Sequence, residues 1–302
     1  MPLRRILFGA VAAAAALALV ACGAAAAPPG RAGAAGLTIV ASTNVYGSIA
    51  EAVGGGRVAV KSLITDPAAD PHSYESTPAD AATVAGAAIV VVNGGGYDDP
   101  VQELVAAAGG TPTVLEVAAL APPGATNEHF WYDLPLVQQV ATRLAADLGA
   151  ADPAHAGEYL ANAEVFSASV GELTERVRAI GAADPGARVA VTEPVADYLI
   201  ATAGLTDATP PEFARAVEED VDPPAALVAQ TLQLFTGEPV RALILNGQTR
   251  TATTDQVRQA AEAAGVPVVE VTETLPAGTD YLGWMGGQVD ALAGALDGGE
   301  AP

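Results

Sequence analysis

The chain is short of positive charge. Of its 302 residues only 13 are basic, among them the single Lys61, against 35 acidic ones, and the formal net charge is −22. So few cations cannot build a polybasic surface, which makes nucleic acid a poor partner. A surface this negative repels phosphates and carboxylates at range and concentrates cations, so small cations lead the list of ligands. Cysteine is nearly missing as well: Cys22 stands alone, so the chain cannot staple itself with an internal disulfide. Histidine is confined to His72, His129 and His155, which leaves three places for chemistry that needs an imidazole. The phosphate-loop spacings GxGxxG and GxxxxGKS/T are missing around both glycine triplets, Gly54-Gly55-Gly56 and Gly94-Gly95-Gly96, so both read as turns. An apolar content of 51% excludes disorder for the bulk of the chain, and its length allows about two domains of roughly 150 residues.

No apolar run at the N-terminus is long enough to span a bilayer. Arg4 and Arg5 precede sixteen apolar residues, 6–21, fewer than the roughly 20 a spanning helix needs and typical of an export signal. The run ends Leu19-Val20-Ala21 and meets the lone Cys22, followed by Gly23, which is similar to the processing site of a bacterial lipoprotein. The expectation is therefore a signal peptide over 1–21 and a lipidated, flexible tether over 22–36, anchored to the cell membrane by acyl chains on Cys22.

Past the tether, short β-rich runs alternate with helical stretches. Strands are expected at 37–41, 58–64, 89–93 and 113–117, then at 188–192, 242–245 and 266–271, with a weaker run near 206–208. This alternation predicts parallel α/β layers. Between the two sets, from Asp152-Pro153 to about residue 181, Tyr159, Ala163, Phe166, Val170, Leu173 and Val177 recur at three- and four-residue steps. They predict one amphipathic helix, about 42 Å long at 1.5 Å per residue. The fold expected is α/β: an N-terminal β/α lobe over 37–151, a long rigid backbone helix over 152–182 and a C-terminal β/α lobe over 183–302, with a cleft between the lobes.

Two of the three histidines sit in loops directly after predicted strands, where α/β sheets bind ligands. His72 lies in Asp70-Pro71-His72-Ser73-Tyr74-Glu75 and His129 in Asn127-Glu128-His129-Phe130-Trp131-Tyr132-Asp133. In the second lobe Glu193 ends the strand 189–192, and Glu273 follows the strand 268–271. Two imidazoles and two carboxylates converging on one cleft suit a borderline transition-metal dication. Plainer roles are open to two of them: Glu193 as the carboxylate cap of the helix starting at Pro194, and Glu273 as a solvated loop acid. His155 opens the backbone helix and reads as a surface residue. Asp70, Glu128 and Asp133 are candidates to fix the imidazole tautomers, and Trp131 to pack beneath its loop.

The stretch Asp70-Pro71-His72-Ser73-Tyr74-Glu75-Ser76-Thr77-Pro78-Ala79-Asp80 resembles the first-ligand motif of the solute-binding lipoproteins of zinc and manganese ABC importers. His129-Phe130-Trp131-Tyr132-Asp133 is similar to their second motif, with Leu134 where a proline is usual. The resemblance covers the whole mature chain. It implies that His72, His129, Glu193 and Glu273 bind one Mn²⁺ or Zn²⁺, with Glu273 where Asp is usual, and that a monomeric receptor delivers the ion to an ABC permease. The site would then bind and not catalyse. A metal-dependent hydrolase on the same scaffold, or a surface adhesin, is the rival reading; the sequence lacks HExxH and any fifth group placed to act as a general base.

Overall fold

The computed structural model describes residues 36–298, apart from 69, 110 and 111. The signal segment, Cys22 and the tether up to residue 35 lie outside the described residues. Among the described residues no helix is long and apolar enough to cross a membrane.

The first sheet is built from β1 (Leu37–Thr43), β2 (Val58–Ile64), β3 (Ile89–Val92) and β4 (Thr113–Glu116), all parallel, in the order β2-β1-β3-β4. Helices α1 (Asn44–Gly54), α2 (Pro78–Ala85), α3 (Asp99–Ala107) and α4 (Leu134–Ala151) accompany it. Thr77 caps α2 through a reciprocal capping box with Asp80, with Pro78 in the first turn, so this helix begins at a fixed point just beyond the His72 loop.

The expected backbone helix opens as a 3-10 turn, Pro153–His155, and continues as the 28-residue α5 (Ala156–Ala183). Its buried stripe contains all six residues of the expected pattern and adds Ile180. Gly181 lets it pass the second lobe closely, since a Cβ there would meet the Ala203 carbonyl oxygen at 1.4 Å.

The second sheet repeats the first: β5 (Arg188–Val191), β6 (Thr206–Asp207), β7 (Leu243–Asn246) and β8 (Val268–Val271) are parallel in the order β6-β5-β7-β8. Around it lie α6 (Asp197–Thr202), α7 (Pro211–Glu218), α8 (Ala225–Gln233) and α9 (Ala252–Ala263), and α10 (Tyr281–Leu296) is the last element among the described residues.

One apolar core joins the lobes. Ile39, Ile89 and Val91 of the first sheet and Val189, Val191, Ile244 and Val269 of the second belong to the same cluster as Leu144, Phe166, Val170, Trp284 and Leu292 on α4, α5 and α10. Smaller clusters fill the outer faces, around Val40 and Val90 on one sheet and Leu243 and Leu245 on the other. Each large side chain fully buried this way contributes about 1.5–3 kcal/mol, so opening the lobes widely would expose a core that both share. Polar ties across the lobes add to this: the Tyr281 hydroxyl donates to the Trp131 carbonyl (2.7 Å), and Asn44 exchanges two bonds with the Leu275 backbone (3.1 and 2.9 Å).

Candidate metal centre

The strands deliver the candidate ligands from their C-terminal ends. In the second sheet β7 lies between β5 and β8, with Ile244 level with Val191 and Asn246 level with Val271. Two residues beyond Val191 is Glu193, and two beyond Val271 is Glu273. Asn246, ending the central strand, reaches both: its Nδ2 donates to Glu193 Oε2 (2.7 Å) and to Glu273 Oε1 (2.8 Å). The amide's two protons thus tie both carboxylates to the end of β7, although Glu193 belongs to no group of possible ligand atoms within 4.8 Å of one another among the described residues. Glu193 occupies the capping position before the Pro194–Ala196 turn, but its side chain makes no cap bond and is held by Asn246 and the Thr249 hydroxyl. Glu273 is fully buried and is no solvated loop acid.

From the first lobe, His72 sits in the 3-10 turn Pro71–Ser73, which Asp70 caps by accepting from the His72 backbone N–H (2.8 Å). His72 Nε2 lies 3.6 Å from Glu273 Oε2. His129 is fully buried, and its Nε2 lies 3.7 Å from the same oxygen. Donor atoms bound to one ion at about 2.0–2.2 Å in tetrahedral array are about 3.3–3.6 Å apart, close to this spacing. His129 Nε2 and Glu273 Oε2 are both buried and both lack a hydrogen-bond partner. Leaving a buried polar atom unsatisfied costs about 1–3 kcal/mol, more when it is charged, and a cation between these two would satisfy both.

The tautomer of His129 follows from its neighbour Asn127. The Asn127 amide nitrogen donates to the Pro194 carbonyl (2.7 Å), which leaves its Oδ1 as an acceptor facing the His129 backbone N–H (2.9 Å) and Nδ1 (2.9 Å). Nδ1 therefore carries a proton, and in the neutral ring Nε2 offers its lone pair to the cleft. Of the acids expected to do this work, Asp70 caps the His72 turn and Asp133 caps α4 through the Leu136 N–H (3.2 Å), while the Glu128 carbonyl accepts from Asn93 (2.9 Å). Trp131 packs beneath the loop, fully buried, its ring edge-on to His129 at 5.3 Å.

Burial shapes the electrostatics. It pushes the Glu193 carboxyl up to about 7 against the bonds from Thr249 and Asn246, with the Glu273 charge adding to the rise. Burial also pushes Glu273 up, but His129, His72 and Asn246 together outweigh it and hold this carboxyl below its ordinary value. For His129 burial favours the neutral ring, and the surrounding Glu273, Glu218 and Glu128 reverse that and raise it.

One acid near the ligands carried no signal in the sequence. Glu218, the last residue of α7, is pushed up to about 7, chiefly by burial, and one of its oxygens lies 3.7 Å from His129 Nδ1. Ligand atoms of His72, His129 and Glu218 fall within 4.8 Å of one another, as do those of Asp70, His72 and Glu273. Glu218 faces the protonated side of the His129 ring, which cannot ligate in that tautomer. It belongs to the mouth of the cleft, a cavity of about 560 Å³ lined also by Asp70, His72, Glu128, Arg215 and Glu219. His155 is far from this chemistry in role: its Nδ1 pairs with Asp152 (2.7 Å) in the turn before α5.

Residues 39–295 match the family model described as ZnuA, zinc-uptake complex component A, periplasmic. The manganese-binding lipoprotein MntA of Halalkalibacterium halodurans is 28% identical over 145 residues, 46% of this chain and 48% of that protein, so the match spans about half of its length. Among solved structures, a mutant of the laminin-binding adhesin of Streptococcus agalactiae superposes with a TM-score of 0.72 at 21% identity, over 86% of this chain and 100% of the adhesin. The periplasmic zinc-binding protein TroA of Treponema pallidum superposes with a TM-score of 0.70 at 19% identity, over 86% of this chain and 99% of TroA. At these identities the superpositions establish the shared fold.

Proposed function

The chain belongs to the family of periplasmic zinc-uptake complex component A, and from that premise we propose that it is the extracytoplasmic receptor of an ABC importer, capturing one Mn²⁺ or Zn²⁺ in the cleft between its lobes and delivering it to the membrane permease. The observation that carries this reading is the pair of buried, unpartnered atoms, His129 Nε2 and Glu273 Oε2, with His72 Nε2 beside them. His72, His129, Glu193 and Glu273 are the ligands. Asn246 locks the two carboxylates together and Asn127 presents the correct face of His129. Four protein ligands would fill a tetrahedral zinc shell and leave no water-bearing position of the kind catalytic zinc keeps, which supports a carrier over an enzyme. The protein acts as a monomer, and the 37–151 and 183–302 lobes with the helix between them form its working unit. Acyl chains on Cys22 hold it at the cell membrane.

The reading is tested by calorimetric titration of Mn²⁺ and of Zn²⁺ into metal-free protein, which should bind one equivalent of one or both ions. Failure to bind either would overturn it. Selectivity tests the third ligand. Replacing Glu193 by His turns two imidazoles and two carboxylates into three imidazoles and one carboxylate; zinc accepts the exchange, whereas manganese depends more on anionic oxygen. Competition titration should show the ratio of zinc to manganese affinity at least about tenfold higher in Glu193→His than in the wild type. An unaltered ratio would remove Glu193 from the shell.

A further inference from the structure

The glycine triplet that reads as a simple turn in the sequence aims a side chain into the metal cleft. Gly94, Gly95 and Gly96 follow β3 with φ of 77°, 70° and 103°, a run of left-handed backbone that side-chain-bearing residues rarely adopt. Asp98 pins the turn by accepting from the Asn93 and Gly94 N–H groups (2.6 and 2.8 Å). Between these fixed points Tyr97 is turned inward and is 2% exposed. Its ring stands edge-on to His72 at 4.8 Å, lies against Trp131 at 4.7 Å and is 6.2 Å from His129. The aromatic wall of the cleft therefore carries a hydroxyl at its tip, and that hydroxyl is buried without a partner.

Glu273 has the complementary deficit. Oε1 is held by Asn246, but Oε2, the oxygen facing both histidines, accepts from no donor. Its carboxylate is also the charge that acts most strongly on the Tyr97 phenol, which burial and this neighbour keep protonated. A carboxylate oxygen has lone pairs for both a metal and a hydrogen-bond donor, and donors of this kind orient ligands and tune affinity.

Resting on the metal-receptor reading above, we propose that Tyr97 is a positioning residue for ion capture: its hydroxyl donates to the Glu273 carboxylate in the loaded cleft and fixes the direction in which Oε2 meets the ion. Phenylalanine at this position keeps the ring and its packing and removes only the donor.

In Tyr97→Phe the affinity for Zn²⁺, measured by calorimetry, should fall about 10-fold or more, the usual cost of losing an outer-shell partner. In a Glu273→Ala background the same change should alter affinity less than about twofold, because the acceptor is gone; zinc is the probe because it binds such sites more tightly than manganese and keeps the weakened site measurable. Loading the wild type should also produce a tyrosine ultraviolet difference band that shrinks in Tyr97→Phe. A variant that binds within about twofold of wild type, or that loses the same factor in both backgrounds, would overturn the proposal while wild-type binding keeps the receptor reading intact. A wild type that binds no ion would overturn both.

Discussion

Between about pH 7.5 and about pH 5.5 the affinity for Mn²⁺ or Zn²⁺ should fall at least about a hundredfold, because protons and the metal compete for the same lone pairs. The Glu193 carboxyl is pushed up to about 7 by burial, so it is half-protonated near neutrality and must lose that proton to bind a cation. His129 is raised in the ion-free protein by the carboxylates around it, so its ring holds more tightly the proton that competes for Nε2, the atom that should face the ion. Both shifts have the same sign for binding: each raised group keeps its competing proton to higher pH, and affinity is lost as pH falls. One group titrating at about 7 costs a factor of roughly 25 across this window, and a second multiplies it. Glu273, held low by His129 and His72, stays ionised through the window and contributes little to the slope. Calorimetric titration at the two pH values is the check, and a change of less than about tenfold would remove His129 and Glu193 together from the shell.

His72→Ala should lower affinity by more than about a hundredfold, since losing even a residue that only supports a ligand costs 10–100-fold. The His72 ring lies at the cleft mouth with its side chain 24% exposed, so its removal should change unfolding stability by only about 0.5 kcal/mol. That separation matters, because a binding defect without a stability defect locates the residue in the site. His155→Ala is the control: it breaks the pair with Asp152 in the turn before α5 and should leave affinity unaltered. Similar losses in both variants would mean that the cleft is not where the ion binds.

Much of this architecture was legible in the sequence because strands buried on both faces read as short β-branched runs, and because the stripe from Tyr159 to Val177 has helical spacing. The ends were less so. The first turn of the backbone helix is 3-10, since Pro153 and the Asp152–His155 pair favour a tight turn before α5 settles into its regular spacing. The four candidate ligands were legible because histidine is scarce and strand ends are few. What organises them was not. Asn246 is a neutral amide whose two carboxylate partners lie 53 and 27 residues away in the chain, and Asn127, although only two residues from His129, is oriented by the Pro194 carbonyl 67 residues away, which no local pattern marks. Glu218 was one more acid in an acidic stretch until α7 brought it to 3.7 Å from His129. Tyr97 was hidden by its own glycines, which read as a turn and gave no hint of where the turn points.

In the proposed receptor one ion is held between the lobes by side chains from both. Anomalous diffraction from crystals of the Mn²⁺-loaded protein tests it most directly. A single strong peak is expected within about 2.0–2.3 Å of His72 Nε2, His129 Nε2 and carboxylate oxygens of Glu193 and Glu273. A peak held at the cleft mouth by Glu218 and Asp70, with His129 Nε2 and Glu273 Oε2 still unbonded, would contradict it.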